Sequence, residues 1–430
     1  MIQKIHFLGI GGSGASAAAA LAEAQGFEVT GCDLEPHNEF TAQFKSSQLL
    51  KGHSASHIVS GNVDILAVTP AIFSLDPDNP ELMEAKKMGI PIITWQQFVG
   101  EYLAKGKFVI AICGTHGKTT TTAMVAQMLE DANLDPTVLL GAIQPEWKAN
   151  FRIGKSKYFV VEADEFNDNF LHFKPNITVV TNTEMDHPEY FKDINAYLDS
   201  FEKFLLQSKD TIVANLLDKN VAEIVKDIMK ESKVSALDFN KIEVEFNLKI
   251  PGEYNISNAK AAFQVGLLLG IDPQIIRKSL ENYAGVGRRF EFIGDYNGAK
   301  VYSDFGHHPT EIRETLKAAR EKFKDKRILV IYQPHMFTRT KYLYNDFVKE
   351  FREAPVDKIF IMDIYQSREH NLGEVSSEQL TQAVDKDFVS YIGSADQVLE
   401  KLKPEIKNGD ILFFMSAGDT DKLAKELVAS

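Results

Sequence analysis

The sequence has few cysteines and a shortage of positive charge. Only Cys32 and Cys113 occur in 430 residues, too few and too far apart for a disulfide framework. Each sits in an apolar, strand-like run, which predicts buried free thiols. Lysine and arginine number 47 against 60 aspartates and glutamates, a net charge of −13. That balance excludes nucleic acid and an anionic membrane as principal partners, because both demand a basic face. It leaves room for a locally positive loop around a small anion. No apolar run approaches the roughly 18–20 residues that span a bilayer, and MIQKIHFLGIGG lacks a signal core with a cleavage site. The expectation is a soluble cytoplasmic protein, a monomer or weak dimer. Apolar residues at 44% and charged residues at 25% are ordinary globular values. The length suits two to four domains at roughly 100–200 residues each.

What the chain does have is alternation. Short apolar runs read as buried strands at Lys4–Ile10, Glu28–Cys32, Val63–Thr69, Phe108–Cys113, Tyr158–Glu162, Ile177–Thr181, Ile328–Tyr332, Lys358–Ile364 and Ile411–Met415. Longer amphipathic stretches lie between them. This is the texture of parallel α/β units. Ala104–Lys107 and Ala284–Arg289 interrupt it and divide the chain into three α/β domains, 1–104, 105–286 and 287–430.

Polar clusters stand where predicted strands end. Gly9-Ile10-Gly11-Gly12-Ser13-Gly14 fits G-x-G-x-x-G between a strand and a helix, where glycines let the backbone approach a pyrophosphate. Asp33 ends the next strand, where a ribose hydroxyl is often held. By pattern alone this loop is an NAD-type site or a bare packing turn. Gly114-Thr115-His116-Gly117-Lys118-Thr119-Thr120 is a shortened phosphate loop, with Ile112 where the full motif has its first glycine. Its backbone N–H groups cradle phosphates, Lys118 adds a point charge, and the Thr119 hydroxyl suits Mg²⁺. Glu162, Asp164 and Glu165 can hold the hard cation that a triphosphate brings, and Asp186-His187 can orient metal or phosphate. Further on, Ser303, Asp304, His307 and His308 precede a helix over Ile312–Lys322, with Pro309 at N1 and Glu311 at N3. His335 and Arg339 can grip a carboxylate.

In order, GIGGSG, GTHGKTTTT, EADE, TNTEMDH, PGEYNISNA, GVGRRFE, DFGHHPTE, QPHMFTRT and SAGD resemble the Mur ligase family over essentially the whole chain. The resemblance implies a Rossmann-like first domain holding the UDP part of the substrate rather than NAD. It also implies a central P-loop ATPase domain with a parallel sheet and a Rossmann-like C-terminal ligase domain. ATP and Mg²⁺ would be the cofactors. UDP-N-acetylmuramate and L-alanine would be joined through an acyl phosphate, in peptidoglycan precursor synthesis. Gly11, Gly12, Ser13, Gly14, Asp33 and His53 would meet the sugar nucleotide, and His335 and Arg339 the amino acid. Lys118 and its loop would meet ATP, as would Asn255, Asn258, Arg289 and Asp304. Thr119, Glu162 and His187 would form the metal site. Lys118, Glu162, His187 and His307 would be catalytic, the two histidines being alternative proton acceptors.

Some positions depart from the family pattern. Phe305 stands where tyrosine is usual, Met336 where arginine is common, and Phe166 where serine is usual. The DHPEYF stretch leans toward ligases that recycle murein tripeptide. Asn215–Pro251 looks short, and Phe201 aligns with the lysine that some members carbamylate, so no carbamylated lysine is expected. Two other classes compete with this reading: an NAD-dependent oxidoreductase, which leaves the phosphate loop and both histidine motifs unexplained, and a non-catalytic nucleotide binder, which the intact Lys118, Glu162 and His187 argue against.

Overall fold

The computed structural model describes residues 3–369, 371 and 373–430. Eighteen strands among them form three sheets. The first contains β1 (Lys4–Leu8), β2 (Glu28–Asp33), β3 (Leu49–Lys51), β4 (Ile65–Val68) and β5 (Ile92–Thr94), in the order β3-β2-β1-β4-β5. All its pairings are parallel. The second contains β6 (Phe108–Cys113), β7 (Thr137–Gln144), β8 (Ala149–Arg152), β9 (Tyr158–Glu162), β10 (Ile177–Val180), β11 (Thr211–Ala214) and β12 (Ser235–Asp238), in the order β12-β11-β10-β6-β9-β7-β8. Only its β7–β8 hairpin is antiparallel. The third contains β13 (Glu291–Tyr296), β14 (Ala299–Asp304), β15 (Ile328–Tyr332), β16 (Lys358–Met362), β17 (Val389–Gly393) and β18 (Ile411–Met415), in the order β13-β14-β18-β15-β16-β17, with an antiparallel β13–β14 edge.

The central strands are continuous apolar runs because helices cover both faces of a parallel sheet. In β18, Ile411, Phe413 and Met415 join one core, and Leu412 and Phe414 the other. This is the period-two alternation of a strand buried on both sides. The order of each sheet reverses about a central strand, and the crevice at such a switch point is where open α/β sheets bind ligands. In the first sheet the Gly9–Gly12 turn follows β1, which lies between β2 and β4. In the second, the Gly114–Gly117 loop follows β6, which lies between β10 and β9.

The described residues up to Glu184, with Asn195–Phe246 and Asn258–Asn282, form one compact unit. Met185–Ile194, Asn247–Ser257 and Tyr283–Ser430 form the other. The first unit therefore contains two sheets. The helix Ser13–Ala24 (SGASAAAALAEA) joins them: its alanines favour helix and are small enough for close packing, and eight of its residues are buried. Asn150 of β8 donates through Nδ2 to the Ser13 carbonyl at 2.6 Å.

Both cysteines are free and buried, as their surroundings predicted. The Pro309 helix begins as expected: His308 is the N-cap, proline stands in the first turn, and Glu311 at N3 completes a capping box over Pro309–Lys322. No described helix is long and apolar enough to cross a membrane.

Gly14, inside the Ser13–Ala24 helix, is required by space rather than by backbone angle, because a Cβ there would overlap the Trp95 ring. Gly14→Ala should displace that ring at a cost of about 1–3 kcal/mol, as overpacking does. Trp95 and Trp147 are the two tryptophans, so in a Trp147→Phe background the emission reports on Trp95. Unchanged emission and an unchanged unfolding midpoint would contradict the contact.

Candidate active site

Strand register brings the polar clusters of the second sheet to one edge. Ile112 of β6 pairs with Glu162 at the end of β9, and Cys113 pairs with Val180 at the end of β10. The loop after β6 is held from beneath. Thr181 Oγ1 and Asn182 Nδ2 both donate to the His116 carbonyl, at 2.6 and 3.0 Å, and His116 N donates to Asn182 Oδ1 at 2.9 Å. Gly117 is the N-cap of the helix Lys118–Asp131 at φ 84°, a left-handed conformation that glycine adopts at little cost. A Cβ there would also meet Asn258 Oδ1 at 2.5 Å. Gly117 caps with no side chain, and the N-terminus of such a helix favours an anion.

Lys118 is tied back into this loop. Its Nζ donates to the Gly114 carbonyl at 2.6 Å and to both oxygens of Glu165, at 2.8 and 3.2 Å. Burial opposes its charge, but Glu165, Asp164 and Glu162 outweigh that and hold the ammonium above its usual range. Tyr197 links the pair to the loop, its hydroxyl donating to Glu165 Oε1 at 3.1 Å and lying 2.7 Å from Thr115 Oγ1. His116 Nε2 lies 3.0 Å from Glu184 Oε2. Beside them Thr119 Oγ1 donates to Glu162 Oε1 at 2.8 Å, and Gly141 N donates to Glu162 Oε2 at 2.7 Å. Lys118, Thr119 and Glu162 are thus brought together at this edge. Glu165, grouped in sequence with Glu162 and Asp164 as a cation ligand, is the carboxylate that meets the lysine, a choice only the fold shows.

In the first sheet, Gly9 N and Ile10 N donate to the Cys32 carbonyl at 2.9 and 3.1 Å, and Gly11 N to Asp33 Oδ2 at 3.0 Å. Gly12 is the N-cap of the following helix. Asp33, expected to meet the sugar nucleotide, shapes the glycine turn through its carboxylate. His53 Nδ1 lies 3.3 Å from Cys32 Sγ.

In the second unit, register places Asp304 and Tyr332 level with Met415, so the loops after β14, β15 and β18 share an edge. Arg339 is 2% exposed. Its Nε donates to Asp186 Oδ1 at 2.9 Å, and its Nη1 lies 3.1 Å from His335 Nδ1. Burial works against the Asp186 charge, but Arg339 and the neighbouring His187 hold the carboxyl well below the carboxylate range. His187 has φ 55°; its Nδ1 lies 3.1 Å from Glu189 Oε1 and its Nε2 3.8 Å from Asp186 Oδ2. Arg368 pairs with the same Glu189 oxygen at 2.5 Å. No motif marked Arg368; the signal appears only when its loop reaches Glu189.

Burial pushes His307 down to about 3, and His335, buried beside His307 and Arg339, lies well below its ordinary value. His307 Nδ1 is 3.0 Å from the Phe305 carbonyl, and its ring is 5.9 Å from that of His335. Phe305, which lacks tyrosine's hydroxyl, packs its ring 4.9 Å from the guanidinium carbons of both Arg288 and Arg289. Arg289 Nη1 lies 3.9 Å from Glu311 Oε1. Asp304 is buried and accepts from Phe290 N at 2.9 Å, Gly306 N at 2.8 Å and Thr315 Oγ1 at 3.3 Å. Its carboxylate therefore organises the loop at this edge. Asn255 donates to the Pro251 carbonyl at 2.6 Å.

Known proteins match this arrangement along the chain. The Mur ligase family catalytic-domain model covers residues 4–107, the Mur ligase middle-domain model 112–241, and the Mur ligase glutamate ligase domain model 288–418. The UDP-N-acetylmuramate–L-alanine ligase of Acetivibrio thermocellus is 38% identical, over 98% of this chain and 95% of that protein. The enzyme of the same name from Aquifex aeolicus is 34% identical, over 99% and 97%. The crystal structure of the UDP-N-acetylmuramate–alanine ligase of Thermotoga maritima superposes with a TM-score of 0.81 at 28% identity, covering 99% of this chain and 98% of that one.

His307 and His335 regain an ordinary value near 6.5 on unfolding, so the unfolded chain binds more protons below that pH and stability falls on acidification. Each contributes up to about 1.4 kcal/mol per pH unit. The depressed carboxylates Asp186 and Glu189 act with the same sign, but only below about pH 4.5. Denaturant midpoints should therefore drop between pH 6.5 and 5; a flat profile there would refute the buried neutral histidines. Separately, Asp186→Asn strands the Arg339 charge and should cost about 3–5 kcal/mol, largely recovered by adding Arg339→Met. A loss below about 1 kcal/mol would show that the pair does not carry this packing.

Proposed function

Because the chain belongs to the Mur ligase family, we propose that it joins L-alanine to the carboxylate of UDP-N-acetylmuramate, with domains 1–104, 105–286 and 287–430. The observation that carries the reading is the phosphate loop, with Lys118 and the Thr119–Glu162 pair at one sheet edge. The relatives that share this chain from end to end bear that activity in their names. The family is one of ATP-dependent amide-bond-forming ligases. ATP supplies the phosphoryl group that activates the carboxylate as an acyl phosphate.

The residues fit Mg²⁺ beside that loop. The Thr119 hydroxyl and the Glu162 carboxylate are hard oxygen donors 2.8 Å apart, and Mg²⁺ selects such ligands together with phosphate oxygens. Lys118 supplies the fixed positive charge that lets two anions, phosphate and carboxylate, approach. Its present partners, Glu165 and the Gly114 carbonyl, keep the ammonium charged and aimed into the loop. The Gly9–Gly14 turn, shaped by Asp33, receives the pyrophosphate of the sugar nucleotide at a helix N-terminus.

The attacking amine must lose a proton. A ring held near 3 is a poor acceptor at neutral pH, which sets His307 aside and favours His187. His187 is flanked by Asp186 and Glu189, with the Arg368 guanidinium 3.4 Å from its Nδ1. Arg339 has its charge already balanced by Asp186, so the pair together would orient the amino acid. His335 lies against the same guanidinium.

Phosphate release should require UDP-N-acetylmuramate, ATP, Mg²⁺ and an amino acid together, with L-alanine ahead of the rest of an amino-acid panel. Faster turnover of a murein tripeptide would move the assignment to the recycling ligases. Lys118→Ala should lower kcat by a factor on the order of 10² or more with the fold retained. An undiminished rate would remove the lysine from the chemistry.

A further inference from the structure

A cluster of four side chains at the end of the first sheet has no part in the ligase chemistry. His6 comes from β1, Cys32 from β2, His57 from the helix Ala55–Gly61 and Glu81 from the helix Pro80–Met88. One donor atom of each lies within 4.8 Å of every other. Glu81 is at the centre and fully buried. Its Oε1 is 2.9 Å from His57 Nδ1 and 3.0 Å from Cys32 Sγ; its Oε2 is 3.1 Å from His6 Nε2 and 3.2 Å from the same sulfur. Ser54 N donates to Oε1 at 3.0 Å. His53 Nδ1 lies 3.3 Å from the sulfur and 3.8 Å from Oε1.

Hydrogen bonding accounts for most of this cluster but not for His6. Its ring is inaccessible to solvent, and Nδ1 is engaged with Thr30 Oγ1 at 2.8 Å. Nε2 points into the cluster and makes no regular hydrogen bond there; the Glu81 oxygen 3.1 Å away is its ion-pair neighbour. If Nδ1 donates to Thr30, the Nε2 lone pair faces the Glu81 carboxylate 3.1 Å away, an approach that either a proton or a metal cation between them relieves. The Thr30 contact is the kind of second interaction that fixes the orientation of a metal-binding imidazole. Burial, with Glu81 beside it, pushes the Cys32 thiol far up; a dication reverses that preference, since a coordinating thiol gives up its proton.

We propose that His6 Nε2, Cys32 Sγ, His57 Nδ1 and a Glu81 oxygen form a closed four-ligand site for a transition-metal dication of the zinc class. Sulfur and imidazole donors exclude Mg²⁺ and Ca²⁺. Four protein ligands leave no position open for catalysis, so the site is structural. Bonds of about 2.0–2.3 Å set tetrahedral ligands about 3.3–3.7 Å apart, so the donors around Glu81 move apart by a few tenths of an ångström on loading. The metal would fasten two strands and two helices immediately below the Gly9–Gly14 turn. The Cys32 carbonyl accepts from Gly9 N and Ile10 N, so ligation at Cys32 also fixes the start of that turn.

The test uses the full chain, treated with a chelator and returned to excess Mg²⁺ so that the ATP metal site is satisfied. Zn²⁺ should then bind with one equivalent per chain and raise Tm without any substrate. Co²⁺ in its place should give a thiolate-to-metal charge-transfer band that is lost in Cys32→Ser and kept in Cys113→Ala. Absence of stoichiometric Zn²⁺ uptake, or a band that survives Cys32→Ser, overturns the proposal. If Cys32→Ser does not fold, X-ray absorption of the zinc-loaded wild-type protein decides. One sulfur at about 2.3 Å supports the site, and a shell of nitrogen and oxygen alone refutes it.

Discussion

A loop that binds phosphate has to direct its N–H groups toward the ligand, so its carbonyls must be satisfied from behind. That requirement organises the second sheet. Thr181 and Asn182 at the end of β10 take the His116 carbonyl, and Lys118 takes that of Gly114. Thr181 and Asn182 could not do so unless β10 and β6 ended level, which their register ensures. The same level ending on the other flank brings Glu162 of β9 to Thr119. The loop's shape is thus a property of the sheet, and the glycines permit it rather than create it.

The parts of this architecture that were legible in sequence are those decided locally. Phe108–Cys113, Tyr158–Glu162, Ile328–Tyr332 and Ile411–Met415 are strands over the predicted residues, because parallel strands buried on both faces leave uninterrupted apolar runs. Pro309 and Glu311 announced a helix start for reasons internal to the first turn. The phosphate loop was visible through its glycines and lysine. Choices among chemically equal residues were not legible. Glu162 and Glu165 differ only in which neighbour the strand end offers them, and Asp304 turned out to cap backbone N–H groups. Arg368, in no motif, pairs with Glu189 of the DHPEYF stretch, far off in sequence. The β7–β8 hairpin escaped notice because Gly141 and the residues around it break the apolar run.

The two units solve a common electrostatic problem in different ways. In the first, a buried ammonium is balanced by one carboxylate and two carbonyls at the loop itself. In the second, a buried guanidinium, its aspartate and two histidines that stay uncharged share one space. Taking a charge out of water costs several kcal/mol unless it is paired, so each functional cation arrives with its counterion fixed. Phe305 extends this economy: the face of its ring lies against two arginines where a hydroxyl would have needed a partner of its own.

The hydrogen bond from Asn150 to the Ser13 carbonyl has a bearing on how the protein can be taken apart. The helix Ser13–Ala24 turns part of its small-residue surface to β7 and β8, which lie on the far side of the linker at Ala104–Lys107. A fragment ending at residue 104 would expose that surface and would leave Asn150 without its acceptor in the remainder. The joint that is plain in the amino-acid string is not a seam in the folded molecule. Shuffling first domains between relatives would have to carry the β7–β8 hairpin along, or match its alanine-lined seat.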